Sequence, residues 1–446
     1  MCSIFGRAMR YSLRSRWSEA RTVALGMAAS AGATSRTPAE STAQNRNTGF
    51  KFRCRTLPLM SNFKSFLALA VAGAFAIGGC GSASVATADT PQVSCAPASE
   101  GQDATTGAIS SILSQTKERD NLGAIIFGAE RNGTPILRTA LGMSTPGVPA
   151  TTAMHFRVGF VGWQYLTDLL LLMTERKQVA LTDPVSKWFP NYPHVNGATL
   201  RMLAASSTGF GDYIRPPSFA KAIYENTHRV WTAHDLIRRS LPPYQEPAFT
   251  NPGKDWAYSH TDFVMLGVIL ERAGRKPYTS LLQELILGPL ALRDTRLQFD
   301  SNPQLPVLHT LDDGTFKDTT FWNPSFVSWA SMTSNVCDLG IWNRAFGTSS
   351  LLPASLKSQV TAPVNVGLGG NTASSYFGLG TIVRVPWIVA NASYWGMYTS
   401  TAYDPTTGIS LEVTVTLNKG ASPKNPSAEI LSAVSKVLTP DHPIPN

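Results

Sequence analysis

The chain has 446 residues, of which 43% are hydrophobic and 15% are charged, so it is long enough for one large domain or two small ones with a sizeable core. Residues 1–79 hold 11 of the 38 Lys and Arg and 2 of the 29 Asp and Glu, which leaves 27 of each sign in the remainder. A body with balanced charge argues against binding to a phosphate backbone, which needs a clustered positive face, and we expect no nucleic-acid partner.

Residues 60–79 have the layout of an export signal. Lys64 supplies the positive region, and residues 66–77 form an apolar stretch that is too short to span a bilayer. This stretch ends in Ile77-Gly78-Gly79-Cys80, which resembles the bacterial lipobox. The resemblance implies that Cys80 is lipidated and becomes the N-terminus; ordinary cleavage nearby with a free Cys80 is the alternative. We therefore predict an exported protein of the cell envelope, anchored to the membrane by lipid at Cys80.

The segments around this signal differ in character. Residues 1–59 are rich in Arg and Ser without a periodic apolar pattern, and we interpret them as a doubtful or disordered extension. Residues 80–106 are rich in Ser, Ala and Thr, which predicts a flexible lipidated tether, and residues 441–446 form a tail. Residues 107–440 remain as the folded domain.

The cysteines and histidines do not show metal-ligand spacing. CxxC and HExxH motifs are lacking, so neither a metal nor a cofactor is predicted. Cys95 and Cys337 are available for a disulfide in an oxidising compartment, and the sequence leaves their pairing open.

Strand patterns occur at both ends of the domain. After a helix pattern over residues 109–119, two apolar runs flank Asn132-Gly133, which is a strong hairpin signal. A second hairpin is predicted over residues 400–417, and a final helix over 427–438. The middle contains apolar helices at 163–176 and 261–274. We predict an α/β fold of the α+β kind: a central antiparallel sheet built from both chain ends, flanking helices and a mainly helical subdomain.

Six segments between residues 107 and 438 follow the order and spacing of one known family. They are Phe156-Arg157-Val158-Gly159, Leu181-Thr182-Asp183-Pro184-Val185, Leu200-Arg201-Met202-Leu203 through Phe210, Pro252-Gly253 through Leu266-Gly267, Gly288-Pro289-Leu290, and Tyr403-Asp404-Pro405. Together they resemble the serine β-lactamase and penicillin-binding-protein-like family, which includes class C β-lactamases, D-alanyl-D-alanine carboxypeptidases and esterases. The resemblance implies a β-lactamase-like fold.

The family's catalytic motifs are degenerate in this chain. The family places Ser-x-x-Lys at the start of the helix after Gly159, where positions i and i+3 share a face. Here these positions are Phe160 and Trp163, and neither side chain acts as a nucleophile or a base. The second motif, Tyr-x-Asn, is Tyr258-Ser259-His260, so that the Tyr is kept and His260 replaces the Asn.

The third motif, Lys or His followed by x-Gly on a strand, has two alternative registers. An ungapped count back from Tyr403 gives Ala390-Asn391-Ala392, and a short deletion gives Tyr394-Trp395-Gly396. Neither register supplies a Lys or His. We take Tyr394, Trp395 and Gly396 as the third-motif region.

We therefore assign no catalytic residue and keep Tyr258 and His260 as residual candidates. The alternative for these two is a packed aromatic and a hydrogen-bonded polar residue; a relocated nucleophile at Ser206 or Ser207 is also considered. Phe160 and Trp163 are predicted to plug the family's pocket, or else to form an aromatic platform for a planar or sugar ligand.

Loss at all three motifs predicts a non-catalytic binding or scaffolding module, with a cell-wall component or an envelope protein as partner. The rival hypothesis is a hydrolase of the family (an esterase, DD-peptidase or amidase) with an altered nucleophile. A third is non-covalent capture of a β-lactam or muropeptide.

Overall fold

The computed structural model describes residues 95–99, 103–311, 317–421 and 425–445. The predicted extension, the signal, Cys80 and most of the tether lie outside the described residues.

The strands are short at the edges and long in the centre of the main sheet. In chain order they are β1 (Ala98–Ser99), β2 (Leu122–Arg131), β3 (Thr134–Thr145), β4 (Val148–Pro149), β5 (Phe156–Arg157), β6 (Arg296–Leu297), β7 (Met332–Ser334), β8 (Ser375–Phe377), β9 (Ile382–Arg384), β10 (Trp387–Tyr394), β11 (Met397–Asp404) and β12 (Ile409–Leu417).

The helices lie mostly between β5 and β8. They are α1 (Ala104–Arg119), α2 (Val161–Glu175), α3 (Leu200–Ala205), α4 (Pro217–Glu225), α5 (Ala233–Arg239), α6 (His260–Gly274), α7 (Tyr278–Leu282), α8 (Val336–Gly347), α9 (Ala354–Lys357) and α10 (Pro426–Leu438), with 3₁₀ turns at Val185–Lys187 and Pro324–Ala330 and a π-helical turn at Gln283–Leu287.

The main sheet joins the two ends of the chain. Its strand order is β1-β3-β2-β12-β11-β10-β9-β8, with β4 paired to β3 and each pair antiparallel. The N-terminal hairpin meets the C-terminal hairpin where β2 pairs with β12, placing Ala129 opposite Leu411. Asn132 and Gly133 turn the first hairpin with φ of 51° and 88°, as a type I′ turn requires. The predicted fold class, with a sheet built from both ends, is confirmed.

Each face of the main sheet covers an apolar core. On one face, Ile125 and Phe127 of β2 pack with Ile109 of α1 and Ile430 of α10. Alternate residues of β2, such as Ile126, point to the other face and pack with the helical part. The helix α2 lies within this second core, which explains why its sequence is apolar on nearly all sides.

The folded region extends beyond residues 107–440 in both directions. Cys95 forms a disulfide with Cys337 at the start of α8, and β1 pairs with β3. Asp103 caps α1 in a capping box, so the helix begins earlier than its apolar pattern indicates. At the other end Ile444 is buried. The described parts of the expected tether and tail therefore pack on the domain.

Within the described ranges, every helix is too short or too polar to cross a membrane.

Candidate functional site

The start of α2 is fixed by a close approach of two backbones. Gly159 precedes the helix with a φ of +52°, and a Cβ added there would lie 2.7 Å from the Cβ of Ala392 on β10. Phe160 follows in helical conformation and makes no side-chain cap. The close approach of Gly159 to Ala392 therefore sets the start of α2 against β10, and Phe160 is the next residue in the chain.

Trp163 fills the second position of the first motif. Its side chain is 1% exposed and stacks on Phe263 of α6, with ring centroids 4.7 Å apart and an interplanar angle of 14°. Its indole Nε1 donates a hydrogen bond of 2.7 Å to the Tyr258 hydroxyl. The phenol oxygen of Tyr258 therefore accepts from an indole N–H.

Phe160 completes a group of rings around Tyr258. Its centroid lies 6.0 Å from that of Tyr258 and 6.0 Å from that of Phe377 on β8. We call Phe160, Trp163, Tyr258, Phe263 and Phe377 the aromatic cluster. Of two cavities in the described part, one surrounds His155 and the other lies beside Glu130 and Glu412, and the aromatic cluster lines neither.

Tyr258 is a poor base in this setting. Burial, together with the negative charges of Asp212 and Asp262, raises the pKa of Tyr258 well above its usual value, and the hydrogen bond from Trp163 opposes this only in part. A phenol with a raised pKa stays protonated near neutral pH, so Tyr258 serves as a neutral hydrogen-bonding group.

His260 begins α6 and is held by a buried carboxylate. Its ring Nδ1 lies 3.1 Å from Asp212 Oδ1 and 3.2 Å from Oδ2, and its backbone N–H donates to Oδ1 at 3.2 Å. The His260 ring also packs edge-on against Tyr258, with centroids 4.9 Å apart. The pair has the geometry in which a carboxylate orients an imidazole.

The serines near this site have structural partners. Ser206 ends α3 in a left-handed conformation, and its hydroxyl accepts from the Ser259 backbone N–H at 2.8 Å. The Ser259 hydroxyl points to the Gly211 carbonyl at 3.4 Å. Ser207 is buried next to Ser206. Among the described residues, the hydrogen bonds of the His260 ring go to Asp212 and not to a hydroxyl.

The structure separates the two registers of the third motif. Ala390 and Ala392 lie on β10 with their side chains in the α2-side core or against Gly159. Trp395 and Gly396 instead form the turn between β10 and β11, with φ of 40° and 88°. Tyr394 stacks on Phe326, which places this aromatic pair outside the aromatic cluster.

Sequence reasoning identified four of the residues that meet here: Phe160, Trp163, Tyr258 and His260. It missed Asp212, which lies 48 residues before His260 and has no motif of its own. The one available signal was physical, because a half-buried His needs a hydrogen-bonding partner. In the described part of the chain, no group of three or more His, Cys, Asp and Glu is arranged to hold a metal ion.

The arrangement is therefore a dense aromatic cluster beside a His–Asp pair. It offers hydrogen bonds, ring faces and an oriented imidazole, and it lacks an amine or hydroxyl nucleophile at the start of α2.

Comparison with known proteins gives one consistent family. The sequence profile described as Beta-lactamase matches residues 110–434. Penicillin-binding protein 4* of Bacillus subtilis is 29% identical over 153 residues, which are 33% of this chain and 32% of that protein. Esterase EstB of Burkholderia gladioli is 26% identical over 193 residues, or 40% of this chain and 47% of the esterase. These alignments span a third to a half of the curated relatives.

Solved structures show the same fold over the whole of their chains. A D-stereospecific amidohydrolase from Streptomyces sp. matches with a TM-score of 0.65 and 22% identity, covering 75% of this chain and 99% of that one. The D-amino acid amidase of Ochrobactrum anthropi SV3, complexed with L-phenylalanine amide, matches with a TM-score of 0.66 and 19% identity, covering 76% and 99%.

Proposed function

The chain belongs to the beta-lactamase family, and on that premise we propose that it is a non-catalytic member which acts as a binding or scaffolding module of the cell envelope. What supports this proposal is the start of α2, where Phe160 and Trp163 align in sequence with the family's Ser-x-x-Lys motif and where neither side chain can act as a nucleophile or a base. Trp163 also donates a hydrogen bond to Tyr258, so the Tyr that aligns with the second motif already has a partner.

The family's acyl-transfer chemistry needs a nucleophile, a base to activate it and donors for the oxyanion. Phe160 removes the first and Trp163 the second. Ala390, in the ungapped register, replaces the Lys or His of the third motif and is fully buried. Because these losses fall on three positions in two separate elements, a single substitution would not restore the reaction.

The decisive experiment is the intact mass of the purified protein after incubation with benzylpenicillin and, separately, with a fluorophosphonate. We expect an unchanged mass with both reagents, while an active esterase treated in parallel is labelled. A stoichiometric adduct would overturn the proposal, and peptide mapping would then identify the nucleophile.

Binding is tested apart from turnover. We expect the purified protein to co-sediment with peptidoglycan or to co-purify with an envelope protein, and to leave a penicillin and an acyl ester unhydrolysed. Binding of a muropeptide that saturates without product formation would favour capture by the former cleft over scaffolding.

A hydrolase with an altered nucleophile is the second candidate, and the His260–Asp212 pair favours it. An imidazole oriented by a buried carboxylate can act as a general base towards water. This hypothesis expects measurable hydrolysis of an acyl ester that falls on substitution of His260→Gln or Asp212→Asn. If the protein is non-catalytic, both variants should hydrolyse the ester no faster than it hydrolyses without protein.

The envelope location is part of the proposal and rests on the signal ending in Cys80. We expect the mature protein in the membrane fraction, with a lipid-modified Cys80 as its first residue by mass spectrometry. Cys80→Ser should prevent the modification and release the protein from the membrane; retention of the variant would contradict the anchor.

A further inference from the structure

Two arginines cover one buried indole at the junction between α4 and α5, and a third arginine precedes one of them in the chain. The guanidinium carbon of Arg229 lies 3.8 Å from the centroid of the Trp231 ring, and that of Arg239 lies 5.0 Å from the same ring. Trp231 itself is 4% exposed. Arg238, the neighbour of Arg239, is exposed at the end of α5. We call Arg229, Arg238 and Arg239 the guanidinium cluster.

The charge of this cluster is only partly balanced. Burial acts to raise the pKa of Asp235, but hydrogen bonds from Thr232 and the charges of Arg229 and Arg238 hold it below its ordinary value. The carboxylate of Asp235 is engaged in the capping box of α5 with Thr232. Within the described ranges the three arginines form no ion pair, so three positive charges face one carboxylate that already has other partners.

Aromatic rings hold two of these guanidiniums in place. Besides Trp231, Arg239 lies 5.2 Å from the ring centroid of Tyr244 and 5.6 Å from that of Phe219. Such contacts leave the N–H donors at the edge of the guanidinium plane available, while they restrict its motion. A ligand that binds there meets donors that are already ordered, which reduces the entropy lost on binding.

Contact with the indole accounts for the positions of Arg229 and Arg239 but not for that of Arg238. Burial is the largest cause that lowers the pKa of Arg239, and repulsion from Arg229 and Arg238 adds to it. Arg229 and Arg239 lie over the same ring, and a bound anion would reduce the repulsion between their like charges. The guanidinium cluster thus carries a net positive charge that a bound anion would neutralise.

We propose that the guanidinium cluster is a binding site for phosphate groups. A phosphate presents several acceptor oxygens in a tetrahedral arrangement and so can accept hydrogen bonds from more than one guanidinium. A carboxylate, in contrast, can have both of its oxygens paired by two N–H groups of a single guanidinium. The charge of a phosphate monoester also matches the excess of three arginines over one aspartate. The site lies outside the aromatic cluster and goes beyond the proposed function.

The test is calorimetric titration of the purified protein with inorganic pyrophosphate at constant ionic strength. We expect saturable binding, and a loss of affinity of about tenfold for each arginine removed in Arg229→Ala and Arg239→Ala. Arg293→Ala is the matched control, because Arg293 is exposed and lies outside the cluster. The affinity of this variant for pyrophosphate should equal that of the unmodified protein. If the cluster variants do not fold, as judged by circular dichroism, Arg238→Ala replaces them, since its exposed side chain covers no ring.

Two sources of phosphate are distinguished by sedimentation with vesicles of phosphatidic acid in phosphatidylcholine. Arginine-dependent binding to pyrophosphate identifies a soluble phosphate ligand, and arginine-dependent binding to the vesicles alone identifies a lipid headgroup; either result supports the site. Binding to neither probe overturns the proposal. Equal loss in Arg293→Ala overturns it as well, because it would show only a general effect of charge.

Discussion

The hydrogen bond between Trp163 and Tyr258 is the residue-scale feature that distinguishes this site. The indole is buried, and its N–H has the phenol as its acceptor. Removing the acceptor with Tyr258→Phe should lower the free energy of unfolding by about 1–3 kcal/mol, because a buried N–H then loses its partner. Urea unfolding of the purified protein measures this change.

A double-mutant cycle separates the hydrogen bond from packing. Trp163→Phe removes the donor and some ring volume, so its own loss combines both effects. If the hydrogen bond matters, the Trp163→Phe/Tyr258→Phe protein should be more stable than the sum of the single effects implies, by about 1 kcal/mol. Additive losses would show that the two rings contribute by packing alone.

Because Asp168 on α2 is buried, we expect the stability of the protein to depend on pH. It is fully buried, neither carboxyl oxygen has a hydrogen-bond partner in the described part, and burial raises the pKa of Asp168 to about 8. In the unfolded chain an Asp ionises near pH 4. Between about pH 4 and about pH 8, ionisation of Asp168 therefore lowers the free energy of the unfolded state but not that of the folded state. Stability from this residue is therefore present below about pH 4 and lost as the pH rises towards 8.

Asp168→Asn removes the ionisable group and keeps the shape. We expect the variant to be more stable than the unmodified protein at pH 8, with the difference shrinking towards pH 4, as measured by urea unfolding at several pH values. Glu175→Gln, at the exposed end of the same helix, controls for a change of charge. A difference that does not vary with pH would rule out an ionisation effect.

At this scale the sequence predicted neighbours within one helix better than partners that are distant in the chain. Motif spacing alone placed Phe160 and Trp163 on one helical face, because the i, i+3 relation is local. Asp212 reaches His260 through a loop, and only the tertiary fold brings the two together. A partner set by long-range packing has no periodic signal in the sequence.

At the scale of elements, the contact between the start of α2 and β10 should tolerate little change. Gly159 combines a φ of +52° with the close approach to Ala392. Gly159→Ala therefore adds both backbone strain and a clash, and we expect it to lower the free energy of unfolding by about 2 kcal/mol or more.

Gly197 provides the matched control for this prediction. Its φ is also positive, at +87°, but a Cβ added there would meet nothing within 4 Å. Gly197→Ala should show the strain alone, at about 1 kcal/mol. Equal effects in the two unfolding measurements would mean that the packing of α2 against β10 does not constrain this glycine.

The hairpins show where sequence patterns suffice for an element and where they do not. Asn132-Gly133 identifies its turn because both residues favour positive φ. The β10–β11 hairpin turns at Trp395-Gly396, and a Trp with φ of 40° is not a residue that turn statistics select. The sequence therefore did not predict where β10 ends, and the pairing of Ala390 with Thr401 shows its register with β11.

For the whole molecule, the order of the segments along the chain predicted the fold better than any single motif did. Strands from both ends were predicted to share a sheet because each end formed a hairpin, and β2 paired with β12 confirms it. The limits of the domain were not predictable in the same way. Cys95 and Ile444 lie in segments without periodic patterns. A disulfide holds the first of them to the domain, and a hydrogen bond from Ser432 to its carbonyl holds the second.

The disulfide between Cys95 and Cys337 should stabilise the molecule as a whole. It links residues 242 positions apart and fastens the N-terminal segment to α8. In the chain-entropy account a cross-link over a long loop restricts the unfolded chain, and native disulfides typically contribute about 2–4 kcal/mol. We expect Cys95→Ala/Cys337→Ala, or reduction with dithiothreitol, to lower the Tm by several degrees. Dithiothreitol should leave the Tm of the double variant unchanged, because no further described disulfide remains to be reduced. An unchanged Tm in the double variant would show that the N-terminal segment adds nothing to the stability of the core.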